Sequence, residues 1–363
     1  MAERIVVAMS GGVDSSVALL KVLEAGYEPI GVTMKLWEYR DMGGNLLAES
    51  NCCPVEAVNL ARDVCVSLGV PHYTLDFRDT FKRLVVDDFI SEYLAGRTPN
   101  PCVRCNSYLK WDALIDYADQ LGQAKIATGH YARISTANGQ PRLLKGRDLH
   151  KDQSYVLWGI PRETLQRTVL PLGDLTKQEV RRLAEENGLA TAHVPDSQDI
   201  CFVADGDYRR FLQEQAGPQL ERIGSGDILD EAGVVLGSHP GYAHYTVGQR
   251  RGLGLSSPEP LYVKALDPAH NTITVAAQQS LYGSRCEVRN LNWLCDPPEG
   301  TLQVQARIRY NSSGAAAELS LNGEQAILTF TEPQLAITAG QSAVFYDGDV
   351  LLGGGVISRR LAA

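Results

Sequence analysis

Short apolar runs alternate with amphipathic runs through the first half of the chain. The run Ile5–Met9 has the length of a buried strand, and the pattern over Val17–Ala25 places apolar side chains on one helical face. Further strand-like runs begin at Pro29, Val70 and Lys125, with helical patterns between them. Because strands that alternate with helices form parallel sheets with right-handed crossovers, this half of the chain is expected to be an α/β domain.

The same patterns give bounds for the elements of this domain. The predicted strands are Ile5–Met9, Pro29–Trp37, Val70–Leu75 and Lys125–Thr128. The predicted helices cover Val17–Ala25, Pro54–Leu68, Asp79–Ala95, Tyr108–Leu121, Asp152–Trp158, Thr176–Asn187 and Tyr208–Gln215. Two prolines in the segment Thr98–Asn106 predict a rigid loop there.

The pattern of hydrophobic and polar residues changes after about Gly217. Short alternating runs separated by Gly, Asp, Asn and Pro replace the helical patterns, and this arrangement is typical of strands and turns. We therefore expect three domains, with bounds 1–216, 217–283 and 284–363. The second is predicted to be a small β-rich linking domain and the third a β-barrel.

Length and composition agree with a packed enzyme of several domains. The chain has 363 residues, 44% hydrophobic and 21% charged, which is close to the globular average. The N-terminus has no secretory leader, and no apolar run approaches the ~20 residues of a membrane helix, so a cytoplasmic protein without membrane contact is expected. The net charge of −9 argues weakly against a nucleic-acid partner, although a local basic patch would suffice for one.

The stretch Ser10–Ser16 carries the first chemical signal. It follows a predicted strand and precedes a predicted helix, and its two glycines let the backbone approach an anion closely. No Gly-Lys-Ser/Thr follows, so it is not a Walker A loop. Its pattern Ser-Gly-Gly-x-Asp-Ser is the signature of the PP-loop pyrophosphatases, which split ATP between the α and β phosphates. The alternative is a plain glycine turn, and Asp14 is expected either to orient magnesium or to cap the helix.

Four residues fall at or just beyond the carboxyl ends of predicted elements. They are Ser10, Met34, Cys105 and Gly129. Ligands of open α/β sheets bind at the carboxyl ends of the strands, so these residues are expected to line one crevice.

The eight cysteines are expected to be thiols or ligands, not a disulfide framework. Cys102 and Cys105 form a C-x-x-C, which fits half a zinc site, a redox pair, a buried structural pair or a nucleophile activated by nearby positive charge. Cys201 lies in a polar turn between Asp196 and Asp199, where either packing or chemistry is possible. Three further cysteines are expected to serve packing: Cys65, Cys286 and Cys295. The role of the adjacent pair Cys52 and Cys53 is left undecided.

Several motifs that occur together and in order give a more specific resemblance. They are Ser10–Ser16, Thr98–Asn106, Thr128–Tyr131, Lys151–Tyr155, Asp196–Phe202 and Tyr245–Gly254. This combination closely resembles the bacterial tRNA-specific 2-thiouridylase family of the PP-loop superfamily, from Ile5 to about Val356. The resemblance implies an N-terminal parallel-sheet PP-loop domain (adenine nucleotide alpha hydrolase-like), a small central β domain and a C-terminal β-barrel. It also implies ATP-dependent replacement of O2 of the wobble uridine by sulfur in tRNAs for Lys, Glu and Gln.

The resemblance also implies roles for individual residues. Cys105 would be the nucleophile and Cys201 the persulfide carrier, with an alternate Cys105–Cys201 disulfide. The implied ATP-binding residues are Ala8, Met9, Ser10, Gly11, Gly12, Val13, Asp14, Ser15, Met34 and Gly129. The residues implied to contact tRNA or its target base are Asn100, Pro101, Cys102, Lys151, Asp152, Gln153, Arg309 and Tyr310. Mg²⁺ would accompany ATP, and a cysteine desulfurase or sulfur-relay protein would supply the persulfide.

One departure from the family pattern leaves a second hypothesis for the cysteines open. Many relatives carry an acidic residue where this chain has Cys102. With Cys105 and Cys201, this thiol would complete a set of three that can hold an iron–sulfur cluster with one open iron. Arg250, Arg251, Arg307 and Arg309 are candidate phosphate contacts, each of which can equally be a solvated surface residue.

Two other function classes remain at this point. An amidating PP-loop ligase needs no paired cysteines, so it would keep its activity in Cys105→Ser and Cys201→Ser variants. A tRNA-binding protein that uses ATP only as a switch would not form AMP and pyrophosphate in a tRNA-dependent manner.

Overall fold

The computed structural model describes residues 2–38, 54–122, 125–196, 200–203 and 205–362. The helices are α1 Val13–Glu24, α2 Pro54–Ser67, α3 Arg78–Phe81, α4 Asp87–Leu94, α5 Pro101–Cys105, α6 Trp111–Gln120, α7 Lys177–Glu186 and α8 Tyr208–Ile223. The strands are β1 Arg4–Ala8, β2 Glu28–Lys35, β3 His72–Asp76, β4 Lys125–Ala127, β5 Ala132–Ala137, β6 Gln140–Lys145, β7 Thr168–Val169, β8 Gly226–Leu229, β9 Val235–His239, β10 Tyr262–Asp267, β11 Thr272–Ala276, β12 Tyr282–Trp293, β13 Thr301–Arg307, β14 Ala315–Asn322, β15 Gln325–Leu335, β16 Ser342–Asp347 and β17 Val350–Leu361.

The N-terminal domain is built on a parallel sheet, as predicted. Its strand order is β3-β2-β1-β4-β7, and every neighbouring pair is parallel. The interior of β1 is fully buried, because Ile5, Val6 and Val7 each have no exposed surface. The order runs outward from β1 on both sides, so the carboxyl end of β1 lies at the switch point where α/β sheets bind ligands.

The segment predicted to be a rigid loop is helical from Pro101 onward, so the loop prediction is wrong for residues 101–106. Pro101 occupies the first turn of α5, where its missing N–H costs no hydrogen bond. The Asn100 side chain caps this helix by accepting a 3.4 Å hydrogen bond from the Val103 N–H. A π-helical turn, Asn106–Lys110, then joins α5 to α6. Both cysteines of the C-x-x-C therefore lie on a helix.

The C-terminal domain is a closed six-stranded barrel. Its strand order is β12-β15-β14-β13-β16-β17, and β12 also pairs with β17 to close the circle. The antiparallel hairpin β5–β6, which the sequence analysis missed, extends this sheet at β17 through the pair Val350 and Leu144. A hairpin of the N-terminal half is thus part of the barrel sheet.

A four-stranded sheet of order β10-β11-β8-β9 lies between the two larger units in sequence. Helix α8 precedes it and crosses residue 217, where the first domain boundary was predicted. The backbone of Ala216 departs from helical geometry at that point. The predicted fold class, a PP-loop domain followed by a small β domain and a β-barrel, is confirmed.

The three units share their hydrophobic packing. One buried cluster joins Phe81 and Phe89 to Ile228 and Val263 of the central sheet. Another includes both Val6 and the barrel residue Tyr346. In the part of the chain that the structure describes, no helix has the length and apolar character needed to cross a membrane.

Candidate active site

The Ser10–Ser16 stretch forms a tight turn at the start of α1. Gly11 has φ +78°, and a Cβ there would lie 2.2 Å from the Ala57 carbonyl oxygen, so only glycine fits. Ser15 Oγ donates to the Gly12 carbonyl at 3.0 Å and accepts from the Ser10 N–H at 3.2 Å. These hydrogen bonds stabilise the turn at the N-terminus of α1, the end of a helix that favours an anion.

The carboxyl ends of the neighbouring strands lie beside this turn. Gly129 follows β4, and a Cβ on it would lie 2.9 Å from the Asp14 carbonyl carbon. Ala8 ends β1, and Met34 is half-buried near the end of β2. The structure thus brings together the predicted ATP-binding residues Ala8, Met9, Ser10, Gly11, Gly12, Val13, Asp14, Ser15, Met34 and Gly129 around the end of the sheet.

The Asp14 side chain does not cap α1. It accepts hydrogen bonds from the Tyr131 hydroxyl at 2.7 Å and from the Lys177 ammonium at 2.8 and 2.9 Å. Residue 12 is the N-cap of α1, and its position offers no side-chain hydrogen bond. Lys177 thus contacts both carboxylate oxygens of Asp14.

A second carboxylate, Asp196, forms ion pairs with three basic side chains. It accepts from Lys151 at 2.8 Å, and Lys177 and Arg181 lie 2.8 and 2.7 Å from its other oxygen. Although partial burial opposes its charge, the hydrogen bonds from Lys151 and Lys177 hold its pKa at about 2. Lys177 consequently joins the PP-loop residue Asp14 to the segment that leads to Cys201.

Three free thiols lie near one another. Cys102 and Cys105 are three residues apart on α5, and the charges of both influence Cys201. The Trp37 side chain lies beside Cys201 and lowers the pKa of its thiol. Cys105 is buried, whereas Cys102 and Cys201 keep exposed surface. Desolvation by the surrounding protein raises the pKa of all three thiols, for Cys201 to about 12. The predicted nucleophile and persulfide carrier therefore belong to one site, in a setting that favours their protonated forms.

Lys110 provides positive charge beside these thiols. Burial opposes its charged form, but the three cysteine sulfurs raise its pKa above the usual value. In turn it lowers the pKa of each thiol, against the effect of burial. Burial and Lys110 together lower the pKa of His130 to about 3, so this imidazole is neutral at physiological pH. Lys110 thus interacts both with the three thiols and with His130, the residue after Gly129.

The other cysteines agree with packing. Burial raises the pKa of Cys65 to about 11 and that of Cys286 to about 12, and Cys295 donates a hydrogen bond to the Leu352 carbonyl at 3.5 Å. Cys52, Cys53 and Asp199 lie outside the described residues. Within those residues, no group of three or more His, Cys, Asp or Glu side chains is placed to hold a metal ion, so the three thiols do not fit an iron–sulfur cluster in this arrangement.

The predicted Lys151-Asp152-Gln153 motif divides into an exposed and a buried part. Lys151 keeps 43% of its side chain exposed while it contacts Asp196. Asp152 is buried and receives hydrogen bonds from Arg307 at 2.7 Å and from the Gly146 N–H at 3.0 Å. Gln153 accepts from the Tyr131 N–H at 2.9 Å. The exposed part of Lys151 is thus accessible to a polyanion. Asp152 and Gln153 instead bind other parts of the chain, at Gly146, Arg307 and Tyr131.

The barrel domain carries the last two residues that were predicted to contact tRNA, Arg309 and Tyr310. Tyr310 is 39% exposed. Partial burial raises the pKa of its phenol, Asp152 and Cys102 raise it further and Lys151 lowers it, so the phenol is near Cys102 and Lys151. Arg309 donates to the Ala336 carbonyl at 2.8 Å and is half-buried.

The Thr98–Pro99 segment, which precedes Asn100, packs against the barrel. Gln341 donates to the carbonyl oxygens of Thr98 and Pro99, each at 3.1 Å. Gly340 has φ +90° and a Cβ there would lie 2.7 Å from the Thr98 carbonyl oxygen, so this close approach needs glycine. Barrel and PP-loop domain therefore build the site jointly.

Sequence reasoning missed several residues of this site. The important ones are Trp37, Lys110, Tyr131 and Lys177. The capping box that begins with Thr176 located the start of α7, but no local pattern indicates that the next residue reaches α1. Tyr131 lies in the Thr128–Tyr131 motif, although its partner Asp14 is 117 residues away.

Fold and site together define a PP-loop nucleotide-binding domain with a thiol centre and an appended β-barrel. Comparisons with known proteins narrow this class. Residues 3–205 match the tRNA methyl transferase HUP domain, 209–277 the tRNA methyl transferase PRC-barrel domain, and 284–357 the aminomethyltransferase beta-barrel domain.

Relatives that match over nearly the whole chain identify the family more specifically. The tRNA-specific 2-thiouridylase MnmA of Heliobacterium modesticaldum is 48% identical over 99% of this chain and 94% of its own. That of Acidithiobacillus ferrooxidans is 48% identical over 98% of both chains, and that of Clostridium perfringens 41% identical over 99% of both. The chain belongs to the tRNA-specific 2-thiouridylase family.

Proposed function

We propose that this protein is an ATP-dependent tRNA sulfurtransferase that converts the wobble uridine of tRNAs for Lys, Glu and Gln into 2-thiouridine. One observation carries the proposal. The PP-loop carboxylate Asp14, the exposed Lys151 and the three thiols converge through Lys177, Asp196 and Tyr310. A nucleotide site, a polyanion contact and a sulfur centre thus lie side by side, as thiolation of an RNA base by way of AMP requires.

ATP would activate the uridine. A carbonyl carbon such as C2 is a poor electrophile because oxide is a poor leaving group. Attack of O2 on the α-phosphorus forms an O–P bond, breaks the bond between α-phosphorus and bridging oxygen, and releases pyrophosphate. AMP is then the leaving group at C2. The turn Ser10–Ser15 suits this step, since it leads into the N-terminus of α1, where the helix dipole favours an anion. Mg²⁺ would accompany the nucleotide phosphates.

Sulfur transfer would use Cys201 and Cys105. The terminal sulfur of a Cys201 persulfide attacks C2, forms the C–S bond and expels AMP. The Cys105 thiolate then attacks the Cys201 sulfur, which breaks the S–S bond, releases the thiolated base and leaves the alternate Cys105–Cys201 disulfide for a thiol reductant to reduce. In the other route, Cys105 attacks the persulfide first and releases sulfide, which attacks C2. Both routes need a persulfide donor, such as a cysteine desulfurase or a sulfur-relay protein.

The RNA would lie across the boundary between the two large domains. Lys151 and Arg309 supply positive charge, and Tyr310 offers an exposed ring near Cys102 on which a flipped base can stack. Asn100 and Pro101 shape the wall beneath that base. Asp152 supports this surface by fixing Arg307 instead of touching RNA. A tRNA substrate places the reaction in the cytoplasm.

The test is incubation with unmodified tRNA, ATP and a sulfur source under reducing, anaerobic conditions, followed by nucleoside mass analysis. We expect the mass gain of an oxygen-to-sulfur exchange at uridine, lost in Cys105→Ser and Cys201→Ser and retained in Cys295→Ser, the matched control outside the site. Unchanged uridine with every sulfur source would contradict the proposal. Activity that requires stoichiometric iron, shown by metal analysis, would instead support the iron–sulfur alternative with Cys102 as a ligand.

A further inference from the structure

The Ser10–Ser16 turn contains no cation, although it is built to receive phosphates. A Walker A loop carries its own lysine for this purpose, and here none of the seven residues is Lys or Arg. The chain supplies the charge from elsewhere. The Lys177 ammonium lies 2.8 and 2.9 Å from the two carboxylate oxygens of Asp14, in the first turn of α1.

Lys177 is held in place from several directions. Its side chain is only 11% exposed, and Asp196 binds the ammonium from the other side at 2.8 Å. The ammonium also lies 5.8 Å from the centre of the Tyr131 ring. Lys177 is the first residue of α7, which a capping box of Thr176 and Glu179 begins. The ammonium is therefore fixed beside the turn before any ligand arrives.

A phosphate bound at the N-terminus of α1 would compete with Asp14 for this ammonium. Both groups present oxygens of similar spacing, but a triphosphate carries more negative charge than a carboxylate. Asp196 would keep its contact and hold the lysine in place during the exchange. A lysine there would also meet the charge that develops on the leaving pyrophosphate when the bond between the α and β phosphates breaks.

We propose that Lys177 binds the phosphates of the nucleotide and stabilises the departing pyrophosphate, taking the place of the lysine that this loop lacks. The proposal deepens the proposed function, since it rests on ATP being the nucleotide that the PP-loop receives. Asp196 is a positioning residue that keeps Lys177 at the phosphates.

The test measures binding of ATP, pyrophosphate and adenosine by titration calorimetry. Lys177→Gln is expected to weaken ATP and pyrophosphate binding at least tenfold and to leave adenosine within twofold. Lys177→Arg is expected to restore most of the ATP affinity. The matched control is Arg182→Gln on the same helix, which removes an exposed charge paired with Glu186 and should leave all three affinities unchanged.

A purely structural lysine predicts something else. Lys177→Gln would then lower the melting temperature and weaken all three ligands equally, or none of them, and either result would overturn the proposal. If Lys177→Gln does not fold, Asp14→Asn is compared with Asp14→Asn/Lys177→Gln, in which the partner charge is also removed. The double variant should bind pyrophosphate at least tenfold more weakly than Asp14→Asn, and equal affinities would overturn the proposal.

These measurements separate the inference from the proposed function. A chain that binds ATP through Lys177 and leaves tRNA unmodified contradicts the function only. A Lys177→Gln variant that thiolates tRNA with unchanged ATP affinity contradicts the inference only.

Discussion

At the scale of single residues, opposing influences set the protonation of the thiols. Desolvation by the surrounding protein raises the pKa of Cys105 and Cys201, while the Lys110 ammonium lowers both. The folded site therefore keeps most of each sulfur protonated at neutral pH. The thiolate fraction below the pKa increases about tenfold for each pH unit. Thiol reactivity is expected to increase steadily from pH 7 upward.

Replacing Lys110 by Met should make the thiols less reactive. Removal of the positive charge raises the pKa of Cys105 and Cys201 further, and a shift of one unit means about tenfold slower alkylation at a fixed pH. Iodoacetamide labelling followed by peptide mass analysis measures this between pH 7 and 10. Lys82→Met, which removes an exposed lysine paired with Asp87, is the control. Identical pH profiles for Lys110→Met and the wild type would exclude this role.

The sequence indicated the reacting residues but not the residues that adjust them. Ser10–Ser16 and the cysteines stand in recognisable local patterns. Lys110 and Trp37 act on Cys201 from 91 and 164 positions earlier in the chain, so only the fold reveals them. Asp14 shows the same limit, because a helix-capping role was reasonable from sequence and its partners are Tyr131 and Lys177.

At the scale of elements, one aromatic cluster fixes the segment that carries Cys201. The Phe202 ring lies 5.6 Å from Phe81, 5.2 Å from Phe89 and 5.3 Å from Phe211. These rings come from three helices, and Phe202 is fully buried among them. The persulfide carrier is thus adjacent to a rigid anchor on one side.

Phe202→Ala should loosen that anchor. The lost packing and the cavity cost about 3–5 kcal/mol of unfolding free energy, whereas Phe202→Leu fills most of the volume and costs less. Urea unfolding measures the difference, and thiolation by Phe202→Ala should fall even at temperatures where the variant remains folded. Equal stability of Phe202→Ala and the wild type would contradict the packing argument.

The N-terminus of α7 is the second element that matters, because it places Lys177. Thr176 accepts from the Glu179 N–H, and Glu179 accepts from the Thr176 N–H at 2.7 Å. Thr176→Ala should cost about 1 kcal/mol of stability and weaken ATP binding, while Thr176→Ser keeps the cap. Calorimetric titration and urea unfolding test both effects. A variant that loses stability at full ATP affinity would show that the cap does not position Lys177.

Element prediction succeeded where periodicity is strong. The predicted helix Pro54–Leu68 matches α2 to within one residue, and α7 was located by its capping box. It failed at Pro101, where proline begins a helix instead of interrupting one. It also missed the hairpin β5–β6, because the strands on which this hairpin rests are more than 200 residues further along the chain.

At the scale of the whole molecule, a buried ion pair connects the barrel to the PP-loop domain. Arg307 and Asp152 lie 2.7 Å apart, with 13% and 2% of their side chains exposed. Removing one partner leaves an unpaired buried charge, so Arg307→Met should cost about 3–5 kcal/mol, and Asp152→Asn in that background should recover part of the loss. Urea unfolding measures the cycle.

The exposed pair Arg133 and Asp349 is the matched control for this cycle. It also joins the hairpin β5–β6 to the turn between β16 and β17, but with 29% and 56% of the side chains exposed. Its loss should cost less than about 1 kcal/mol. Equal costs for the two pairs would show that burial does not make the Arg307–Asp152 contact important.

The central claim is that ATP is split to AMP in order to exchange oxygen for sulfur on a tRNA base. The most direct measurement is a single turnover with persulfide-loaded protein, unmodified tRNA and ATP, in which AMP, pyrophosphate and 2-thiouridine are quantified together. We predict equal amounts of all three and no AMP without tRNA. Release of ADP, or AMP formation that is independent of tRNA and unaccompanied by 2-thiouridine, would contradict the claim.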